Sequence, residues 1–371
     1  MNVSPQKSVI TLGSGQLGLM LGKAAKSLNI PFEAFSLEEA WRWLEHSDAT
    51  NCVISFEQEH VDEALLAEIQ KRHIPCFPGL ESFTLLRSKL SQKQFLAKHK
   101  IPSSPFLAIQ SAQDAKAFLQ KHKGAVLKAG RGGYDGKGVW ILDSAGSTSS
   151  GENLAELLPQ IREAYLEEKI AYDYEIAAVV CRSTKGEIAL YPTVKSLQKN
   201  GICAEVEYTK EFAASKIAKA AGTIAQQIAE KLSYVGVLAV ELFVVGDKIL
   251  VNEIAPRVHN SGHFTIDVCA GSQFENHLRA GLGLPLADSK PSSDTALMVN
   301  LLWPPSEKEF APLYTRLTCG PEWPANAKLH WYGKSGVRAW RKMGHFTVYS
   351  SSLEECKKIA QQILASRWAV Y

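Results

Sequence analysis

A glycine-rich segment between two apolar runs constrains the fold of this chain more than any other feature. Five glycines lie within residues 128–139, and the apolar residues on either side predict a strand, a loop and a second strand. Glycine loses more conformational freedom on ordering than any other residue, so this many glycines do not favour stability. They let backbone N–H groups approach a polyanion closely, and Lys128, Arg131 and Lys137 add positive charge.

Two interpretations of this glycine-rich segment follow. It is a flap over nucleotide phosphates, or it is a mobile hairpin turn. The spacing is not that of a Walker motif. The interleaving of cations and glycines favours the flap.

The first sixty residues alternate apolar strand patterns with helical ones, which predicts a parallel sheet. Residues 13–18 read G-x-G-x-x-G after the first strand, a pattern that favours phosphate at a helix N-terminus. A dinucleotide site would need an acidic residue at the end of the second strand, where this chain has Ser36. Residues 57–60 end the third strand and are either ligand contacts or a solvated strand end.

Length and composition bound the class of protein. A chain of 371 residues predicts two or three domains, and 46% hydrophobic with 21% charged residues is ordinary for a globular protein. A net charge of +3 is too mild to indicate nucleic acid as a partner. Seven scattered cysteines without a C-x-x-C pair fit a reducing cytosol, and no stretch predicts a signal peptide or a membrane span.

Residues 234–253 predict a buried antiparallel hairpin that contains two carboxylates, Glu241 and Glu253. A two-residue loop at Gly246 and Asp247 pairs Glu241 with Asn252, whereas a three-residue loop pairs it with Glu253 on one face. Opposed buried carboxylates need a cation between them. We therefore predict the three-residue loop, with magnesium bound between the two carboxylates.

Two further segments carry concentrated polar chemistry. Residues 255–263 are rich in donors, and the two histidines four apart allow zinc, although Pro256 and Gly262 favour a loop over the helix that such a site uses. Residues 338–345 hold two arginines and a lysine, which form either a ligand site or an exposed charged turn. Strands are predicted at 296–302, 329–332 and 345–349, and a helix at 353–364.

Five motifs occur in order: the first glycine turn, the glycine-rich segment, the Glu241 and Asn252-Glu253 pair, the His259 loop and the Arg341-Lys342 segment. Together they resemble the 5-(carboxyamino)imidazole ribonucleotide synthase family of ATP-grasp enzymes. The resemblance implies an α/β and α+β protein with the ATP-grasp fold. Its implied domains are a Rossmann-like, parallel-sheet substrate-phosphate domain at 1–90, an ATP-grasp domain at 91–285 with a lid at about 106–160, and a small β-rich domain at 286–371.

The implied reaction is the ATP- and bicarbonate-dependent carboxylation of 5-aminoimidazole ribonucleotide through carboxyphosphate, in purine biosynthesis. The implied cofactors are ATP and Mg²⁺ or Mn²⁺, and the implied assembly is a cytoplasmic homodimer with no nucleic-acid or membrane partner. The alternatives are another ATP-grasp ligase or carboxylase, and a nucleotide-binding regulatory subunit without catalysis.

The resemblance also implies roles for individual residues. The catalytic group is Asp135, Arg257, His259 and Lys342. The nucleotide contacts are Lys89, Lys128, Gly133, Tyr134, Asp135, Gly136, Lys137, Gly138, Val139, Glu167, Glu168, Lys169, Ile170, Glu175, Gln198, Asn252 and Glu253. The substrate contacts are Gly15, Gln16, Leu17, Glu57, Asn260, Ser261, Arg338, Arg341 and Lys342. The metal ligands are Glu241, Asn252 and Glu253.

The chain departs from the family pattern at two places. Gln198 stands where the family has an ATP-contacting histidine, and Lys195 is the candidate to supply the missing positive charge. Ala339 and Trp340 replace a Pro-Gly pair in the basic segment, which alters the turn that places Arg341 and Lys342.

Overall fold

The computed structural model describes residues 7–132, 138–199, 201–304, 323–334, 336 and 338–368. Its N-terminal part contains four parallel strands: β1 Ser8–Leu12, β2 Phe32–Phe35, β3 Cys52–Phe56 and β4 Cys76–Phe77. They form a sheet in the order β2-β1-β3-β4. The parallel sheet predicted from the alternating pattern is therefore confirmed.

The helices of this part are α1 Gln16–Ser27, α2 Leu37–His46, α3 Glu63–Lys71, α4 Leu80–Leu86 and α5 Lys89–Lys98. Residues 80–98 do not form one continuous helix, because the chain breaks between α4 and α5. Ser88 causes the break, because its hydroxyl accepts the backbone N–H of Ser91 and begins a new helix.

The glycine-rich segment lies in a second sheet, which is antiparallel. Its strands are β5 Phe106–Ala108, β6 Ala125–Ala129, β7 Val139–Leu142 and β8 Ala164–Glu167, in the order β5-β8-β6-β7. Helices α6 Ala112–His122 and α7 Leu154–Leu157 cover it. Lys128 pairs with Val139, so the predicted strand, loop and strand are confirmed on the described residues at the two ends of the loop.

A nine-stranded sheet forms the centre of the molecule. Its strands are β9 Tyr174–Arg182, β10 Ile188–Leu190, β11 Val194–Lys199, β12 Ile202–Thr209, β13 Gly236–Val245, β14 Lys248–Ala255, β15 Thr295–Leu302, β16 Ala327–Trp331 and β17 Lys342–Ser350. The order is β14-β13-β9-β11-β12-β15-β17-β16, with β10 paired to β9. The strands after residue 291 therefore extend this sheet instead of forming one of their own.

The remaining helices are α8 Lys210–Ala213, α9 Lys216–Lys231, α10 Thr265–Val268, α11 Gln273–Gly281 and α12 Leu353–Ile363. Helix α9 packs on one face of the central sheet through Ala221, Ala225 and Ile228. Helices α1 and α11 pack together on the other face. Within the described ranges, no helix is both long and apolar enough to cross a bilayer.

Candidate active site

The two acidic side chains of the central hairpin lie opposite each other. Val245 pairs with Lys248, so the hairpin loop has two residues and the predicted three-residue loop is wrong. The register then shifts by one residue at Asn252, and Glu241 pairs with Glu253. This β-bulge places one extra residue on β14 and restores the predicted pairing by a different route.

The carboxylate pair has an asymmetric electrostatic environment. Burial, and then the charge of Glu253, raises the pKa of Glu241 to about 7. Burial alone would also raise the pKa of Glu253, but the charges of Lys89, Lys128 and Arg257 together outweigh burial and lower that pKa. The Lys89 Nζ lies 2.7 Å from the Glu253 Oε2. The Lys89 ammonium thus places a positive charge directly beside the Glu241–Glu253 carboxylate pair.

The donor set fits a hard divalent cation. Glu241, Asn252 and Glu253 offer carboxylate and amide oxygens, which Mg²⁺ and Mn²⁺ prefer as ligands. The lysine ammonium already seated beside Glu253 indicates that this position favours positive charge. The residues present therefore fit the predicted metal.

One face of helix α5 is directed at β14, because residues three and four apart project from the same side of a helix. Lys89 pairs with Glu253, and Gln92 exchanges two hydrogen bonds with the backbone of Ile254. The Nζ of Lys93 donates to the Val251 carbonyl at 3.2 Å. This face holds the metal-side strand in place.

A buried ion cluster underlies the glycine-rich segment. The Glu167 carboxylate pairs with Lys93 and with the Nζ of Lys128, the latter at 2.6 Å, and accepts the Ser104 hydroxyl. Lys93 and Glu167 are almost completely buried. The Glu167 carboxylate is thus held by two ammonium groups and a hydroxyl, and the contact expected between the Glu167 backbone and the adenine stays a prediction.

The stem of the glycine-rich segment lies against the carboxylate pair. Lys128 Nζ donates to Asn252 Oδ1 at 3.2 Å, and the Lys89 N–H donates to the Gly130 carbonyl at 2.8 Å. Gly138 has a positive φ of 72°, and Val139 is 38% exposed. The other predicted nucleotide contacts of this segment lie outside the described residues: Gly133, Tyr134, Asp135, Gly136 and Lys137.

Arg131 does not face a phosphate site in this state. Its guanidinium pairs with Glu63 of α3 and, at 2.7 Å, with Glu163. Glu63 also accepts from Arg162 at 2.9 Å. Arg131 was expected to add positive charge for a phosphate. In the structure it belongs to an ion-pair cluster that joins the glycine-rich segment to the N-terminal part of the chain.

The predicted nucleoside contacts surround the start of β9. The Glu168 Oε2 lies 3.3 Å from His122 Nδ1, and Lys169 and Ile170 follow the end of β8. Glu175 is half-buried on β9 and pairs with Ser196 on one side and Phe243 on the other.

Gln198 and Lys195 lie on opposite faces of the central sheet. The exposed Gln198 donates from Nε2 to Ser196 Oγ at 3.0 Å, beside Glu175. Lys195 lies over the rings of Tyr174 and Phe212, on the face covered by α9. Since alternate strand residues point to opposite faces, Lys195 does not replace the charge that Gln198 lacks, and that expectation is wrong.

The loop after β14 directs His259 at the metal-side carboxylates. His259 Nε2 lies 3.4 Å from Glu241 Oε1, and its Nδ1 contacts Ser261 Oγ at 2.9 Å. Burial, with the charges of Arg257 and Lys342, lowers the His259 pKa to about 3. The Gln273 amide binds the backbone N–H and carbonyl of His259 and so holds the loop.

The two residues after His259 are hydrogen-bonded within the protein. Asn260 is buried and forms a reciprocal amide pair with Asn300, at 2.7 and 3.0 Å. Ser261 is buried against His259. Both side chains thus have hydrogen-bond partners within the protein, and their role as substrate contacts stays a prediction. His263 contacts Gln273 while His259 contacts Glu241, so the two rings do not share a zinc site.

The first glycine turn binds a carboxylate of the chain itself. The N–H of Gly15 donates to Glu57 Oε2 at 2.7 Å, and that of Leu17 donates to Glu57 Oε1 at 3.2 Å. A Cβ on Gly15 would lie 2.4 Å from Glu57 Oε1. These amides thus bind Glu57, whose pKa is raised by burial against their opposing effect, and the substrate contacts expected at Gly15, Gln16 and Leu17 stay predictions.

A lysine that the sequence analysis missed joins this turn to the C-terminal basic segment. Lys334 Nζ donates to Gln16 Oε1 and to the Lys342 carbonyl, both at 2.7 Å. Nearby, Arg257 pairs with Glu59 at 3.0 Å. Lys334 lies in a turn that contains glycines. The main glycine-rich segment also combines lysines with glycines, and this similarity could have identified Lys334.

The altered turn of the basic segment keeps the backbone that glycine would provide. Trp340 has a φ of 65°, the left-handed region in which glycine is favoured, and its N–H donates to the Trp303 carbonyl at 2.8 Å. Arg341 Nη1 donates to the Gly336 carbonyl at 2.7 Å, and Arg338 is exposed. Lys342 begins β17 close enough to lower the pKa of His259 by its charge.

Comparison with known proteins adds independent evidence. The ATP-grasp domain family matches residues 94–274, and the family described as "Phosphoribosylaminoimidazole carboxylase C-terminal domain" matches residues 296–359. An N5-carboxyaminoimidazole ribonucleotide synthase of Synechococcus elongatus is 36% identical, and the match covers 100% of this chain and 96% of that protein. The Haemophilus influenzae enzyme of the same name is also 36% identical, over 92% of this chain and 88% of that one.

The fold is shared with solved structures. The N5-carboxyaminoimidazole synthase of Aspergillus clavatus, in complex with ADP and 5-aminoimidazole ribonucleotide, superposes with a TM-score of 0.81 at 26% identity. The superposition covers 98% of this chain and 99% of that one.

Proposed function

The chain belongs to the N5-carboxyaminoimidazole ribonucleotide synthase family of ATP-grasp ligases, and from that membership we propose how its own residues carry out the reaction. The reaction is the ATP-dependent carboxylation of 5-aminoimidazole ribonucleotide in purine biosynthesis. The γ-phosphoryl group of ATP passes to a bicarbonate oxygen and gives ADP and carboxyphosphate. Carboxyphosphate releases carbon dioxide and phosphate, and the exocyclic amine bonds to that carbon and loses a proton.

On the nucleotide side, Glu241, Asn252 and Glu253 hold Mg²⁺ or Mn²⁺, which when bound neutralises phosphate charge. Lys128 adds a fixed positive charge beside Asn252. The lid residues Gly133–Val139 close over the phosphates and exclude water, which would otherwise destroy the intermediate. Glu168–Ile170 contact the base, Glu175 accepts the ribose hydroxyls and Gln198 offers a neutral contact.

On the substrate side, Arg257 and His259 lie between the carboxylate pair and the first glycine turn and hold bicarbonate. The low pKa of His259 keeps its ring neutral at physiological pH, so it acts as a hydrogen-bonding group there and not as a cation. Gln16, Glu57, Arg338, Arg341 and Lys342 bind the ribonucleotide. Asp135 accepts the amine proton, with Lys342 opposite.

One observation carries this assignment: the bulge at Asn252 brings Glu241 and Glu253 together beside the stem of the glycine-rich segment. The test is phosphate release from ATP, with ¹³C-bicarbonate as the carbon source and ¹³C NMR of the product. Release should require a divalent metal and bicarbonate, and 5-aminoimidazole ribonucleotide should stimulate it strongly. Retained ATP binding without stimulation would contradict catalysis and favour a regulatory subunit.

Lys342→Ala separates the two halves of the proposed site. It should leave ATP binding within about twofold of wild type, while the ribonucleotide-stimulated rate falls about 100-fold or more, as for loss of a positioned charged group. Steady-state kinetics and calorimetric ATP binding measure the two effects. Equal losses in both would refute the assignment of Lys342 to the substrate.

The assembly and location also belong to this proposal. A cytoplasmic location is supported by six described cysteines that are all free: Cys52, Cys76, Cys181, Cys203, Cys269 and Cys356. A homodimer is proposed from family membership, and light scattering after size-exclusion chromatography measures it. The domain limits 1–90, 91–285 and 286–371 remain predictions.

A further inference from the structure

An aromatic side chain outside all the motifs lies on the nucleoside side of the proposed site. The ring of Tyr172 is 44% exposed and stacks on Phe243, with ring centroids 4.4 Å apart and planes 10° apart. Its hydroxyl lies beside the Glu175 carboxylate. Burial, and then the interaction with Glu175, raises the Tyr172 pKa to about 12, so the hydroxyl keeps its proton at physiological pH.

The position of Phe243 relates this contact to the candidate active site. Phe243 lies two residues from Glu241 on β13, and residues two apart on a strand share a face. It pairs directly with Glu175 on β9. The face of Phe243 is thus continuous with the carboxylate pair on one side and adjacent to Glu175 on the other.

The backbone next to Tyr172 is anchored, whereas its ring is not enclosed. The Asp173 N–H donates to the Val244 carbonyl, and the Asp173 carboxylate accepts the Gly246 N–H, both at 2.8 Å. The ring itself is exposed apart from its contacts with Phe243 and Glu175. A rotation about χ1 therefore removes both contacts without moving the strand.

An aromatic ring stacked on Phe243, with a hydroxyl on Glu175, makes the same two contacts that a nucleoside would make there with its base and its ribose. We propose that Tyr172 is an internal occupant of the nucleoside part of the ATP site and that a bound adenine nucleotide displaces it. This inference rests on the proposed ribose-binding role of Glu175.

The proposal fixes the sign of a mutational effect. If Tyr172 competes with the nucleotide, removing its ring lowers the dissociation constant for ADP. An aromatic stacking contact of about 1 kcal/mol corresponds to roughly fivefold in affinity, so Tyr172→Ala should bind ADP about three- to tenfold more tightly. Tyr172→Phe keeps the stacking and loses the hydroxyl contact, so it should fall between wild type and Tyr172→Ala.

Isothermal titration calorimetry of the full chain with Mg²⁺–ADP and with Mg²⁺–tripolyphosphate tests the proposal. Tripolyphosphate has no base or ribose, so its affinity should be the same in wild type and both Tyr172 variants. The matched control is Tyr349→Phe, which removes a hydroxyl from β17 that donates only to the Ala325 carbonyl among the described residues. Thermal unfolding checks that each variant folds, and Tyr172→Phe keeps the test valid if Tyr172→Ala does not.

The outcomes separate this inference from the proposed function. Weaker ADP binding by Tyr172→Ala would make Tyr172 a wall of the pocket, and unchanged binding by both variants would make it a structural side chain. Either result overturns the displacement model while the nucleotide site stands. Failure of wild type to bind Mg²⁺–ADP at all would overturn the proposed site together with this inference.

Discussion

At the scale of single residues, the buried cluster of Lys93, Glu167 and Lys128 is the most demanding feature of this chain. Taking ions out of water is costly, and only mutual attraction and good geometry offset that cost. Glu167 serves two ammonium groups at once, and Lys128 also donates to Asn252. The cluster therefore couples the position of a proposed phosphate-binding lysine to the interior of the lid.

Removing the shared carboxylate should expose that dependence. Glu167→Gln leaves two ammonium groups close together without their counter-ion, so we expect a loss of about 3–5 kcal/mol in the free energy of unfolding. Urea unfolding followed by circular dichroism measures it. The double variant Lys93→Met/Glu167→Gln removes one of the stranded charges and should recover part of the loss. A single variant as stable as wild type would contradict the account.

Sequence reasoning named Lys89, Lys128 and Glu167, but it identified neither the ion pairs that they form nor Lys93. Lys89 and Lys93 are four apart and polar, and such residues usually form a solvated helix face, since lysine is almost never fully buried unless paired. Their partners lie far along the chain, at Glu253 and Glu167. Packing between distant segments decides which lysine is buried, and a local sequence pattern does not contain that information.

At the scale of elements, the N-terminus of α1 is closed by a side chain from a neighbouring strand. Glu57, just after β3, accepts the N–H groups of Gly15 and Leu17. Three glycines of the turn, Gly13, Gly15 and Gly18, would each place a Cβ within 3.0 Å of a Glu57 atom. The glycine pattern predicted phosphate at this helix end, and the carboxylate that the amides bind here is one that the protein itself supplies.

Two glycines that precede helices make a matched pair for testing this arrangement. Gly15 precedes α1 and Gly79 precedes α4, and both are N-cap residues with negative φ. A Cβ on Gly15 would meet Glu57, whereas a Cβ on Gly79 has nothing within 4 Å. Gly15→Ala should destabilise the protein by about 1–3 kcal/mol through loss of the Glu57 bonds, and Gly79→Ala by less than about 1 kcal/mol. Equal denaturation midpoints would argue against the Glu57 cap.

The pairing of residues in the β13–β14 hairpin was only partly predictable from the sequence. Because positions 241 and 253 are both carboxylates in a buried hairpin, we predicted that they face each other, and they do. The register of the hairpin was predicted from the length of its loop, but a bulge at Asn252 sets the pairing of Glu241 with Glu253. Bulges depend on how both strands pack on their neighbours, so the sequence predicted the pairing and not its cause.

At the scale of the whole molecule, distant parts of the chain are joined by buried polar contacts. His277 on α11 contacts Ser55 on β3 at 2.8 Å through Nε2, and its Nδ1 accepts the Val237 N–H at 2.9 Å. The backbone donor fixes the neutral tautomer with the proton on Nε2. No pattern in the sequence indicates that one histidine joins the N-terminal and central parts.

This junction predicts acid sensitivity. Burial lowers the pKa of His277 to about 3 in the folded state, whereas the unfolded value is 6.5. The unfolded state therefore binds more protons between those values, and stability is lost as the pH falls below 6.5. At pH 5.0 this histidine accounts for about 2 kcal/mol of lost stability.

Urea unfolding at pH 7.5 and pH 5.0 measures this effect in wild type and in His277→Gln, whose amide can make similar hydrogen bonds without titrating. The variant should lose about 2 kcal/mol less than wild type between the two pH values. Parallel losses in the two proteins would show that other groups cause the acid sensitivity.

The most direct test of the account is whether the two opposed carboxylates hold the divalent ion. Electron paramagnetic resonance counts free Mn²⁺ during titration of the protein with a non-hydrolysable ATP analogue present. Glu253→Gln should lose at least tenfold in Mn²⁺ affinity, while Glu205→Gln, a half-buried carboxylate beside Glu207 on the same sheet, should match wild type. Wild-type Mn²⁺ binding by Glu253→Gln would contradict the proposed site.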